Sequence, residues 1–230
     1  MEANSLFAHL AELRRRILIC LIVWFAFSFG FYPLSLLVLE KITEPIKFAV
    51  FNDPMEIFTA RMSISFLGGV IFGFPIIAWQ IWAFIRPALG KKSGRGLLVL
   101  SLLSSTFFIS GVAFGQYIAV PVGLNFLLSA ASDKFVPMIT VSNYLSFWLV
   151  IVLYTGVIFL LPLVMSLLAF IKIIGYPQIV ALRKYIYVGI FIVSAILTPP
   201  DVVSQLMLAV PMLVLFEIGA ILVRVINNRE

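Results

Sequence analysis

The chain has 230 residues, of which 63% are hydrophobic and 11% charged, and its formal net charge is +6. Soluble domains carry roughly 45–50% apolar and about 25% charged residues; one core of this length cannot bury the difference, so the composition excludes an ordinary water-soluble fold and leaves lipid as the solvent. The positive charge falls in short clusters between apolar runs, which excludes nucleic acid as the partner, and a single cysteine (Cys20) and a single histidine (His9) exclude an intrachain disulfide and a Cys/His metal site.

Residues 1–16 read as a cytoplasmic amphipathic helix, with Leu6, Leu10, Leu13 and Ile17 on one face. Glu12 stands three and four residues before Arg15 and Arg16. It is either half of a local ion pair, worth a few tenths of a kcal/mol, or an exposed carboxylate that receives an incoming cation. The basic cluster precedes an apolar run too long for the core of a cleavable leader, so none is expected.

Six apolar segments follow, at about 17–39, 62–85, 97–128, 145–174, 185–197 and 203–223. Crossing roughly 30 Å of hydrocarbon takes about 20 helical residues. The segments predict an all-α integral membrane protein with six transmembrane helices, a single polytopic domain over 1–230. The outer connections, 40–61 and 129–144, read as cap loops; the first holds the turn signals Glu44-Pro45 and Asn52-Asp53-Pro54. In the second span Gly68, Gly69 and Gly73 predict close helix packing. Pro121 and Pro162 predict kinks in the third and fourth spans. The fifth apolar run covers only about 20 Å as a helix, and the turn Thr198 to Asp201 joins it to the sixth, with Asp201 placed to cap the next helix. Glu217, inside the sixth segment, is costly in lipid. It either faces an internal cavity or partner, or it pairs with Arg224 at i+7 or is protonated. Gln80, Gln116, Asn125 and Gln205 are placed to hydrogen-bond between helices.

Basic residues set the orientation. With the N-terminus inside, clusters within 14–16, 86–95, 172–184 and 224–229 supply twelve of the sixteen Lys and Arg to the cytoplasmic side, leaving Lys41, Lys47, Arg61 and Lys134 outside. Both termini are then cytoplasmic. No intramembrane histidine, paired intramembrane aspartates or Walker-type glycine loop is present, so no enzyme is expected. A secondary transporter of a small solute, resting on Pro162 and Glu217, is one reading of such a chain.

A more specific reading comes from ordered motifs. His9, Glu12 and Arg14-Arg15-Arg16, then Glu44-Pro45-Ile46, Pro75, the stretch from Gln80 through Trp82, Phe84 and Pro87 to Leu89, Tyr144 to Phe147, Leu182 to Tyr185, Leu197 to Gln205 and Phe216 to Gly219 run in family order over nearly the whole chain. Together they resemble the TatC family, the multispanning core of the twin-arginine protein translocase. The resemblance implies a cup-shaped bundle with short fifth and sixth helices in the bacterial inner membrane, and no cofactor. It implies binding of twin-arginine signal peptides of folded cargo, single-span partners of the TatA and TatB kind, self-association within the complex, and transport driven by the proton-motive force. It matches Glu12, Arg14 and Phe84 to the signal-peptide patch. It matches Pro45, Gln205, Asp201 and Glu217 to assembly or partner-helix positions. The chain departs twice: Ser93 stands where the patch usually has a second glutamate, and Leu160 where one usually precedes the proline of the fourth span.

Overall fold

The computed structural model describes residues 2–46, 49–50, 53–86, 94–129, 139–197 and 202–228. Its helical segments are α1 (Glu2–Phe31), α2 (Ser35–Thr43), α3 (Pro54–Ile85), α4 (Gly94–Phe114), α5 (Val120–Ser129), α6 (Val141–Ile158), α7 (Leu161–Phe170), α8 (Tyr176–Leu197) and α9 (Val202–Asn227). Among the described residues six helices are long and apolar enough to span a bilayer: Leu10–Thr43, Met55–Ile85, Gly96–Asn125, Val141–Phe170, Tyr176–Ile196 and Gln205–Asn227. They follow the six apolar segments in number and order. The fifth and sixth are the shortest, at 21 and 23 residues against 30 to 34 for the others.

Prolines place the breaks, because each lacks an N–H and collides with the carbonyl four residues back. Pro33 sits in the 3₁₀ turn Tyr32–Leu34 between α1 and α2. A single π turn, Gly115–Ala119, absorbs the disruption just before Pro121. Ahead of Pro162 the chain turns at Phe159 and Leu160, and α7 starts with the proline in its first turn, where the missing donor costs nothing. Pro75 stays inside α3, and its carbonyl accepts from Ser101 Oγ at 2.8 Å.

The fifth span corrects the apolar-run boundary. The helix begins at Tyr176, nine residues before the run at 185, and its 22 residues reach about 33 Å. Gly175 donates its N–H to Gln178 Oε1 (2.9 Å), and the N–H groups of Gln178 and Ile179 return to the Gly175 carbonyl. This reciprocal cap starts the helix through polar residues that hydropathy assigns to a loop. At the other end of the chain, α1 is one uninterrupted helix that joins the N-terminal amphipathic segment to the first span.

The structure divides into two compact units: the chain up to Thr106 with the segment ending at Leu149, and the stretches beginning at Phe107 and at Val150. In the first, α1 lies against α3 across the expected glycines. A Cβ on Gly69 would sit 2.7 Å from the Trp24 carbonyl oxygen and 2.9 Å from Ser28 N, and one on Gly68 would strike the Phe31 ring. Trp24 Nε1 donates to the Phe66 carbonyl at 2.9 Å across the same interface. The two cap-loop segments are joined as well. Strands β1 (Ala49–Val50) and β2 (Ile139–Thr140) pair in parallel, Ala49 opposite Ile139, and the buried Glu56 carboxylate accepts from Ser142 N at 2.6 Å, capping α6.

In the second unit Gly111 and Gly156 bring α4 and α6 together; a Cβ on Gly111 would lie 2.5 Å from the Thr155 carbonyl oxygen. Gly219 of α9 meets Pro162 and Met165 of α7 in the same way. Beside that contact, Ile179, Ile190, Met212, Phe216 and Val223 form an apolar core with Ala169 and Ala220.

Overpacking at Gly69 tests the α1–α3 contact. Gly69→Val is expected to cost about 1–3 kcal/mol, read as a lowered Tm of the purified protein. Gly30→Ala, whose Cβ meets nothing within 4 Å, is expected to leave Tm unchanged or raise it.

Candidate functional site

Glu12 and Arg16 are one turn apart on α1, the spacing that brings an acid and a following base together. Arg16 donates to Glu12 Oε1 twice, from Nε at 3.1 Å and from Nη2 at 2.5 Å. Its third nitrogen, Nη1, donates to Gln80 Oε1 of α3 at 3.1 Å. One guanidinium thus bridges two helices. The local ion pair expected from spacing forms with Arg16, and the expected interhelical role of Gln80 is met by the same side chain. The acid side chain is 38% exposed and its arginine 22%.

These groups open on a cleft of about 570 Å³ lined by Ala11, Glu12, Arg15, Arg16, Ile19 and Gln80. Arg16 and Gln80 also border a second groove of about 390 Å³, whose remaining lining is the apolar face of α1 (Leu13, Ile17, Trp24) and of α3 (Ile77, Ile81, Phe84), with Cys20 and Leu21. A polar cleft that holds the Glu12 carboxylate therefore adjoins an apolar groove.

The residues assigned by motif separate in space. Glu12 and Phe84 come to the two adjoining grooves. Arg14 is exposed and lines neither; two residues on from Glu12, it points about 200° round the helix. Pro45 is an exposed residue in the turn after α2. Ser93 and Asp201 lie outside the described residues. Leu160 is in the turn between α6 and α7, where its carbonyl accepts from Leu163 N and Val164 N at 3.0 Å each.

In the second unit Gln205, at the start of α9, donates from Nε2 to the Phe191 carbonyl of α8 at 3.0 Å. Glu217 is paired, but not with Arg224. Arg183 Nη2 of α8 donates to Glu217 Oε2 at 2.5 Å, and Tyr187 Oη, one turn further along α8, donates to Oε1. Arg224 instead lies over the Tyr176 ring, 5.7 Å from its centroid. The pairing escaped the sequence because Arg183 precedes the apolar run; with the helix starting at Tyr176, Arg183 and Tyr187 become an i,i+4 pair on one face.

The family described as Sec-independent protein translocase protein (TatC) matches residues 8–211, a stretch that includes Glu12, Phe84 and Gln205 and ends before Glu217. The chain belongs to the TatC family. The TatC protein of Carboxydothermus hydrogenoformans is 34% identical over 232 residues, covering 98% of this chain and 95% of that protein. The TatC of Escherichia coli is 34% identical over 225 residues, covering 95% and 87%. A crystal structure of the twin-arginine translocase receptor TatC superposes with a TM-score of 0.81 at 32% identity, covering 95% of this chain and 99% of that one; a second, in DDM, gives 0.83 at 34%, covering 94% and 99%. As a member of the TatC family the chain is a multi-pass membrane protein and a core subunit of the twin-arginine translocase, a transport component rather than a catalyst. The small-solute transporter finds no support in these relatives.

The Arg183–Glu217 pair gives a stability test. With Arg183 39% and Glu217 34% exposed, it lies between surface pairs, worth about 0–1 kcal/mol, and buried ones, whose breaking costs about 3–5 kcal/mol. Glu217→Leu is expected to cost about 1–3 kcal/mol in unfolding assays. Adding Arg183→Leu should restore most of the loss; full additivity of the two losses would show that the residues are not coupled.

Proposed function

We propose that this chain is the signal-peptide receptor of its translocase, with Glu12 accepting a guanidinium of the arginine pair. The observation that carries the reading is the arrangement at Glu12: a part-exposed carboxylate that already holds a guanidinium, at a cleft adjoining an apolar groove. A twin-arginine signal has the complementary order, a permanent double cation followed by an apolar stretch. Arginine's planar fork suits a carboxylate better than lysine's point charge does. Phe84 lines the apolar side. Arg14 acts away from the cleft, on the far face of α1. With Ser93 in place of the family's second acid, Glu12 and backbone carbonyls carry the load. Gln205, Asp201, Glu217 and Pro45 serve assembly with single-span partners of the TatA and TatB kind, and the proton-motive force drives export. The twelve-to-four distribution of Lys and Arg supports N-in, C-in insertion in the inner membrane.

Losing a charge-assisted bond of about 1.5–3 kcal/mol weakens binding roughly tenfold to a hundredfold. Glu12→Gln is therefore expected to raise the Kd of a twin-arginine peptide by that factor, and Ser93→Glu to increase export of a twin-arginine reporter in cells lacking their own TatC. Equal binding of a peptide with both arginines changed to lysine would sink the receptor role. For orientation, cysteines introduced at Arg14 and Asp53 should label from opposite sides of the membrane, Arg14→Cys from the cytoplasm.

A further inference from the structure

We propose that Arg61 and the apolar groove beside it, in the first unit, bind one phospholipid: the guanidinium takes the phosphate and the groove takes an acyl chain. Arg61 lies six residues inside the span Met55–Ile85, about 9 Å along the helix from its start, a costly place for a cation. Its Cζ stands 4.5 Å from the Tyr32 ring centroid, so the ring covers one face of the guanidinium. Its Nε donates to Ser35 Oγ at 3.3 Å. Among the described residues Nη1 and Nη2 make no hydrogen bond and no carboxylate pairs with the side chain, which is part-exposed. The edge left over is one that arginine uses to grip a phosphate with two parallel bonds.

The groove, of about 470 Å³, is lined by Ala26, Phe27, Gly30, Phe31, Leu34 and Phe72. Leu34 lies between Tyr32 and Ser35, the two residues that Arg61 touches, so the groove begins level with the guanidinium. It ends at Ala26, about 12 Å further along the helix and midway through the span Leu10–Thr43, the depth that the chains of one leaflet reach. On α3, Arg61 and Phe72 are eleven residues apart, three turns, and share a face. Phe72 closes on Phe31 with ring centroids 5.3 Å apart. Gly30 leaves the floor open, with nothing within 4 Å of where a Cβ would stand. A cation followed by an apolar slot has the order of a phospholipid, phosphate first and hydrocarbon after. An apolar helix laid on the groove would match its walls but leave the Nη donors unmet at membrane depth, so the charge selects lipid.

The test uses the full chain in detergent, stripped of lipid and titrated with dioleoyl phosphatidylglycerol, with bound lipid counted by native mass spectrometry. Arg61→Gln is expected to raise the Kd of the tightest lipid about five- to tenfold. Arg61→Lys, which keeps the charge and loses the planar fork, is expected to raise it by a smaller factor. Gly30→Leu fills the groove and removes no charge; it is expected to weaken the same lipid. Diacylglycerol with the same chains is expected to bind the unaltered chain and Arg61→Gln alike, and excess glycerol phosphate to leave the lipid bound. Equal phosphatidylglycerol binding by the unaltered chain and Arg61→Gln overturns the proposal, as does indifference to Gly30→Leu or displacement by glycerol phosphate. Should Arg61→Gln lower Tm, Arg61→Lys and Gly30→Leu decide. In native membranes Gly30→Cys, on a Cys20→Ser background, is expected to form no thiol crosslink to protein; a crosslink to a single-span partner or to a second copy puts a helix in the groove and overturns the lipid.

Discussion

Hydrocarbon offers no water to a backbone N–H or C=O, so each such group within a span must find its partner inside the protein. That constraint explains why the spans are helices, and it also decides how their irregularities are tolerated. The proline in α3 is accompanied by a serine from α4 that donates to its carbonyl. The break before Pro121 is spread over a π turn, and the one before Pro162 is closed by backbone bonds from Phe159 and Leu160. Serine and threonine hydroxyls elsewhere, such as Ser28, Ser65 and Thr155, turn back onto carbonyls of their own helices. Hydroxyls turned inward in this way leave no unsatisfied donor facing lipid.

The same solvent removes the hydrophobic drive for one helix to seek another, so association relies on close approach and polar links. Both units show the pairing of the two. Gly68 and Gly69 admit α1, and Trp24 then donates across the contact. Gly219 admits Pro162 and Met165, while on α9 the nearby Glu217 binds Arg183 and Tyr187 of α8. Small residues set the distance, and a polar side chain a turn or so away fixes the register.

Much of this was legible in the sequence because lipid imposes it locally. Six spans follow from apolar length, the breaks from Pro121 and Pro162, and the close helix pair from Gly68 and Gly69. What stayed hidden depends on groups distant in the chain or on capping. The start of α8 is written in Gly175 and Gln178, whose mutual bonds carry the helix through residues that hydropathy counts as loop. Glu56 capping α6 and the β1–β2 pair join segments about ninety residues apart. At the site, Glu12 and Phe84 were marked by family motif and Arg16 by spacing. Arg14 carries the same motif yet faces away, since a two-residue step on a helix reverses direction. Motif membership identifies what a family keeps; helix phase identifies which of those residues meet.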